Sequence, residues 1–198
     1  MGVCNEITRR DTGENRVTIW GDVCDPDTRT CLLACLIAGQ TVCFEQIDPH
    51  QRVKSIRAKL PPNHGPMLTD GATKVIGTGM SIMTYLIHRK GHERLKKRLY
   101  QTELRFAIDR EIKWYDKKIK PVTDQLAKAA CGTSVVSLEV LEEMKSKFFD
   151  KLLPQINSRL THSFLLGGSL TLCDLYVYCD IRNVLVLTRK AVPGLPHL

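Results

Sequence analysis

The stretch from Gly65 to Leu86, GPMLTDGATKVIGTGMSIMTYL, restricts the fold of this chain more than any other. Gly65-Pro66 opens it, and the short apolar run Met67-Leu68-Thr69 follows. Asp70-Gly71 is a turn dipeptide, and a second run, Thr73 to Ile76, answers the first. An Asp-Gly pair between two such runs predicts an antiparallel hairpin. The glycine-bracketed corner Gly77-Thr78-Gly79 then leads into an apolar run with helical spacing that ends in Tyr85-Leu86. The unit reads strand, turn, strand, helix.

The residues before it supply two more strands. Val17-Thr18-Ile19-Trp20 is β-branched and aromatic, as strands prefer. Gly21 to Asp27 is turn-rich, with Asp25 as a helix N-cap and Pro26 in the first helical position. Leu32, Leu33, Leu36 and Ile37 repeat at helical spacing, and Gly39 ends that helix. Thr41 to Ile47 alternates into a strand with Val42 and Phe44 on one face. A right-handed crossover makes the two strands parallel neighbours. Residues 48–64 are polar, carry Pro49, Pro61 and Pro62, and read as a loop with at most a short helix. The order β-α-β, loop, β-β-α is that of a thioredoxin-like domain, finished at about Ile87.

After Ile87 the pattern changes to helices alone. Leu99, Leu104, Ala107, Ile108, Ile112 and Tyr115 recur at helical spacing, and Pro121 ends or kinks that run. Cys131 to Ser134 is a loop. Leu138, Leu141, Met144, Phe148, Leu152, Ile156 and Leu160 mark a second long helix, bent at Pro154. Phe164 to Gly168 is a turn. Thr171 and Asp174 form a Thr-x-x-Asp capping box, and Leu175 to Leu187 continues it as a helix. The expected organisation is a tail over 1–15, a thioredoxin-like domain over 16–87, a basic linker over 88–98 and an all-α domain over 99–198.

Composition narrows the function classes. The chain has 198 residues, 43% of them hydrophobic, which suits a globular protein of one large or two small domains. No apolar run reaches the ~18–20 residues of a membrane span, and the polar N-terminus does not read as a signal peptide. A cytoplasmic protein is expected. Met1-Gly2-Val3-Cys4 carries a weak acylation signal at Gly2 and Cys4, with Glu6 where myristoylation prefers Ser or Thr. Eight cysteines are present, mostly inside apolar runs, and read as reduced buried thiols. No C-x-x-C pair occurs, so neither a dithiol nor a zinc knuckle is indicated, and no metal is expected. The net charge is +8. Arg89, Lys90, Arg94, Lys96, Lys97 and Arg98 crowd one segment. That segment is either a solvated linker and helix start or a landing site for an acidic partner or RNA. No aromatic residue interleaves it before Tyr100, so no base-stacking platform is suggested.

A thioredoxin-like domain followed by an all-α domain resembles the glutathione transferases, and four motifs carry the resemblance. Pro26, Thr28, Arg29 and Gly39 look like that family's Ser-Pro-x-x-Arg corner and first helix. Gly65-Pro66-Met67-Leu68 is similar to its Val-Pro-x-Leu. Ile82-x-x-Tyr85-Leu86 fits its Ile-x-x-Tyr-Leu. FLLGGSLTLCDL, Phe164 to Leu175, resembles its Phe-Leu-x-Gly-x-x-x-Thr-x-Ala-Asp and is the most specific of the four.

The resemblance implies a glutathione site. Pro66 is implied to be cis, so that the backbone of Gly65 pairs with the cysteine of glutathione. The family's Glu-Ser or Gln-Ser at the next helix start holds the γ-glutamyl end, and the matching residues are Thr78 and Gly79. The serine hydroxyl and the acidic partner are missing there. The activating Ser, Tyr or Cys maps to Asp25, and a carboxylate disfavours a thiolate beside it. Cys24 lies one residue earlier, where a helix N-terminus lowers a thiol pKa and permits a mixed disulfide with glutathione. Two functions therefore stand side by side. One is a glutathione-transferase-like protein with weakened or lost catalysis, serving as a homodimer or a subunit of a larger assembly. The alternative is an active transferase, or a thiol transferase using Cys24. A third reading, contact with RNA or an anionic membrane through the basic segment, rests on charge alone.

Overall fold

Buried residues alternate with half-exposed ones along Val17–Gly21, the strand β1, because one face of an inner strand turns to the core. The computed structural model describes residues 17–47, 65–71, 73–76, 78–132, 134–160 and 162–191. They fall into two units that divide between Thr102 and Glu103. The expected loop over 48–64 and the acylation residues Gly2 and Cys4 lie outside the described residues.

In the first unit β1 is followed by α1 (Pro26–Ala38), β2 (Cys43–Gln46), β3 (Met67–Asp70), β4 (Thr73–Ile76), α2 (Gly79–His88) and α3 (Glu93–Leu99). The sheet order is β2-β1-β3-β4. β1 and β2 are parallel, with Ile19 level with Phe44. β3 is antiparallel to both β1 and β4, with Leu68 level with Ile19 and Val75. This is the expected β-α-β plus hairpin arrangement. Ile19, Leu68, Cys31, Ala34, Cys35, Ile82, Met83 and Leu86 form its core, each fully buried. α1 lies close on β1 because Gly21 has no side chain: a Cβ there would stand 2.4 Å from the Thr28 hydroxyl oxygen. Trp20 donates its indole N–H to Thr69 Oγ1 at 3.0 Å, joining β1 to β3.

The segment expected as a linker is part of this unit. Residues 93–99 form α3, and Leu95 and Leu99, one turn apart, are buried against α1 and α2. Dense charge hid a two-leucine stripe that is wide enough for so short a helix. The boundary accordingly falls after Thr102, and Leu99 belongs to the first unit, not the second.

The second unit contains α4 (Arg105–Lys118), α5 (Lys120–Ala130), α6 (Leu138–Ser146), a π-helical turn over Lys147–Leu152, α7 (Leu153–Ser158) and α8 (Leu172–Ala191). Both expected breaks occur at proline. Pro121 sits in the first turn of α5 and Pro154 in that of α7. Pro154 has no N–H for the Asp150 carbonyl and crowds it. The turn before it widens, and Leu153 N–H instead reaches Phe148 O. At the core, Asp180 of α8 is 3% exposed and accepts hydroxyls from Tyr115 at 2.7 Å and Thr123 at 2.6 Å. Burial, then the Asp180 charge, pushes the Tyr115 phenol well up, which keeps it a donor. Glu111, also buried, takes both arms of the Arg159 fork at 2.8 and 2.9 Å, and that guanidinium lies 4.0 Å over the Trp114 ring. No helix among the described residues is long and apolar enough to cross a membrane.

Thr171 and Asp174 close the start of α8, though not as a symmetric box. Asp174 Oδ2 accepts both the N–H and the hydroxyl of Thr171, at 2.8 and 2.6 Å. Its Oδ1 accepts the N–H of Leu165 at 2.8 Å. One carboxylate thus satisfies the helix entry and pins the preceding 164–168 turn, where Gly167 has φ 110°. Asp174→Ala is expected to destabilise the second unit by about 2–4 kcal/mol, since it strands N–H groups of the buried Leu165 and Thr171. Asp174→Asn should cost less. Chemical denaturation of the three proteins checks the order.

Candidate functional site

The candidate site is built at two helix N-termini in the first unit. At α1 the Asp25 carboxylate accepts the Thr28 N–H at 2.7 Å and the Thr28 hydroxyl at 2.8 Å. It is the helix N-cap, as expected, with Pro26 next. Both cap bonds go to one carboxylate oxygen, Oδ2. The preceding turn is tied to β2: Asp22 Oδ1 accepts the Cys24 N–H at 2.9 Å and the Gln46 amide at 3.0 Å. Gln46 Oε1 in turn accepts the Val23 N–H at 3.1 Å. Cys24 is exposed, just outside the cap.

At α2 the cap is Thr78, whose hydroxyl oxygen accepts the Ser81 N–H at 3.4 Å. Sequence reading saw a hydroxyl lost from this corner. Thr78 retains one, turned to its own helix. Gly79 is buried, and its N–H donates to Asp27 Oδ2 at 3.2 Å. Asp27, an acidic residue in the first turn of α1, therefore joins the two helix starts across 52 positions of sequence. Nothing local signals this contact. Cys31 Sγ lies 3.5 Å from the Gly79 carbonyl oxygen.

Gly65 and Pro66 lead into β3, with Pro66 buried. Its missing N–H falls just before the inner strand's ladder, where it breaks no pairing. No peptide bond among the described residues is cis, so the cis Pro66 implied by the resemblance is not observed. Proline disfavours the α region at the preceding residue, so an extended Gly65 does not require the cis isomer. Gly77, the first residue of the corner, lies outside the described residues.

The basic segment is partly absorbed by the fold. Arg89 makes a two-armed ion pair with Asp70, through Nε to Oδ2 and through Nη2 to Oδ1 at 2.8 Å. Tyr85 donates to the same carboxylate at 2.7 Å. Sequence pattern marks Asp70 as a turn residue only; the i, i+4 spacing of Tyr85 and Arg89 is the local signal of the cluster. The C-terminus of α1 is served by Arg98. Its Cys35 and Leu36 carbonyls take the N–H groups of Gln40 at 2.8 Å and Gly39 at 3.0 Å, with Gly39 at φ 65°. The Ile37 carbonyl accepts Arg98 Nη1 at 2.6 Å, and Arg94 Nη1 reaches 4.0 Å from where a Gly39 Cβ would be. The Arg98 cation thus meets the negative end of a helix that has no basic residue in its own last turn. Lys90, Lys96 and Lys97 are exposed.

The thiols inside the units are set for packing. Burial pushes the Cys35 thiol up to about 12 and the Cys173 thiol likewise to about 12, where thiolate chemistry is suppressed. Among the described residues no group of three or more His, Cys, Asp or Glu side chains could hold a metal ion.

These units have the glutathione-transferase fold: a thioredoxin-like sheet unit followed by an all-helical unit. Three solved structures place the likeness. Human glutathione-S-transferase T1-1, in its apo form, superposes with a TM-score of 0.72 at 15% identity, over 87% of this chain and 75% of that one. A glutathione transferase family member from Pseudomonas fluorescens pf-5, with two glutathione bound, gives 0.72 at 14% identity, over 90% and 82%. A delta-class glutathione transferase from Nilaparvata lugens gives 0.64 at 20% identity, over 90% of each chain. No family model matches the sequence, and no curated protein matches it.

The cluster around Asp70 carries a pH signature. Arg89 holds the Asp70 carboxyl below its ordinary range, helped by Tyr85. Burial, then the Arg89 charge, pushes the His92 imidazole down. The unfolded chain therefore binds a proton at His92 before the folded one does, and stability falls as pH drops below about 6.5. The Asp70 contribution is complete above about pH 4 and is lost as pH falls further. Denaturant midpoints measured from pH 7.5 to 3.5 should show both losses. His92→Asn should flatten the upper one and leave the lower. Arg89→Ala should cost about 3 kcal/mol at pH 7 and remove most of the lower one.

Proposed function

We propose that this chain is a divergent glutathione-transferase-like protein with weakened or lost catalysis, acting as an interaction or assembly subunit. The observation that carries the reading is the state of Asp25. At the position implied to activate glutathione, the side chain is a carboxylate engaged by Thr28. It opposes a thiolate nearby by like charge, and it has no proton to donate to one when ionised. The partner of such a subunit is an identical chain or a larger protein assembly, in the cytoplasm. Lys90, Lys96 and Lys97 give it a small basic surface toward an acidic partner. Of the arginines in the same segment, Arg89 and Arg98 are engaged within the unit, which favours a protein contact over a long nucleic-acid track.

The second reading keeps catalysis: a transferase, or a thiol transferase in which Cys24 exchanges with glutathione. The exposure of Cys24 beside the start of α1 supports it, and glutathione is its substrate. The two readings separate in one preparation. Passage over immobilised glutathione should not retain the protein, and turnover of a generic electrophile should stay at the background rate. Retention with turnover would sink the first reading. Thiol transfer that disappears in Cys24→Ser would establish the second. For the basic surface, partner binding should weaken with salt, with a shallower slope in a Lys96→Ala/Lys97→Ala variant.

A further inference from the structure

The contact between Asp27 and Gly79 has a consequence for ligand exclusion. The amide groups that open a helix, with the positive end of its dipole, attract a carboxylate. In α2 two of them are already taken within the chain. The Ser81 N–H goes to Thr78 and the Gly79 N–H to the Asp27 carboxylate at 3.2 Å. The second contact depends on the absence of a side chain at position 79. A Cβ there would stand 2.7 Å from Asp27 Cβ, 3.0 Å from its Cγ and 3.1 Å from its Cα. Any residue but glycine would push Asp27 off the helix start or the helix away from α1. Residues 27 and 79 are therefore a matched pair: a carboxylate supplied from one helix, and a vacancy for it in the other.

We infer that Asp27 is a built-in substitute for a ligand carboxylate, closing the start of α2 against glutathione's γ-glutamyl end. The inference rests on the reading of weakened glutathione binding and gives it a cause. The γ-glutamyl carboxylate would have to displace a tethered carboxylate already seated on Gly79, and to approach a second negative charge to do so. Loss of affinity thus follows from occupation of the seat by this chain, beyond the loss of the family's serine. The tethered group also spares the helix start a buried, unsatisfied N–H when no ligand is present.

Titration calorimetry of wild type, Asp27→Ala and Asp27→Asn with glutathione, and with cysteinylglycine as the probe lacking the γ-glutamyl group, tests this. Asp27→Ala should bind glutathione at least tenfold more tightly than wild type, with cysteinylglycine unchanged. Asp27→Asn, which keeps a carbonyl oxygen for the Gly79 N–H, should gain less. If Asp27→Ala does not fold, any gain in Asp27→Asn decides. Folded variants that bind no better than wild type overturn the inference and leave the weak-binding reading in place. Only a wild type that itself turns over a generic electrophile and is retained on immobilised glutathione, with no gain in either variant, overturns both. An equal gain for cysteinylglycine overturns the assignment to the γ-glutamyl end. A thermal-melt cycle checks the geometry separately. Gly79→Ala should lower the midpoint, and should lower it less in an Asp27→Gly background. Equal losses in the two backgrounds would mean that the two residues do not meet.

Discussion

The first unit depends on how closely α1 can approach its neighbours, and two glycines set that distance. Gly21 lets β1 come within reach of Thr28, and Gly79 lets the start of α2 come within reach of Asp27. The consequences are linked through one helical turn. Thr28 is fully buried against Gly21, and the same residue supplies the N–H and hydroxyl that hold Asp25. Asp27, between them, seats on Gly79. One turn further on, Cys31 meets the carbonyl of that glycine. A Cβ at either glycine would move α1, and with it the Asp25 and Asp27 carboxylates. Packing density leaves no slack for such a shift to be absorbed locally.

Several charged side chains of this protein are used at helix ends. α1 carries an acid at its start and borrows Arg98 for its end. The start of α8 is held by one aspartate with three bonds. The Asp70–Arg89–Tyr85 cluster joins the hairpin turn to the end of α2. In the second unit Arg159 answers Glu111, and the buried Asp180 is met by hydroxyls. The basic segment therefore displays less charge than its residue count suggests, since Arg89 and Arg98 have contacts inside the unit.

Local chemistry was legible wherever a short-range rule applied. Asp25-Pro26 and Gly39 mark both ends of α1, Asp70-Gly71 marks the hairpin, and Pro121 and Pro154 mark helix starts. Each of these acts within about four residues. Thr171 and Asp174 were legible as a cap, but the reach of Asp174 back to Leu165 was not, because it depends on the shape of a turn. Residues 93–99 read as linker from sequence because four of the seven are basic, whereas the buried residues that fix the helix are only Leu95 and Leu99. The site was legible in its scaffold and not in its occupancy. Thr78-Gly79 looked like a corner that had lost two polar groups. Its filling by Asp27 joins residues 52 apart, and no periodicity connects them.

The sequence by itself determined the element order, the hairpin and the helix caps, since each follows from residues that are neighbours along the chain. Only the tertiary structure decided which charges are free and which amides are already taken. Those outcomes depend on distances between segments far apart in sequence. The Cβ missing from Gly79, an absence rather than a side chain, fixes the most consequential of them.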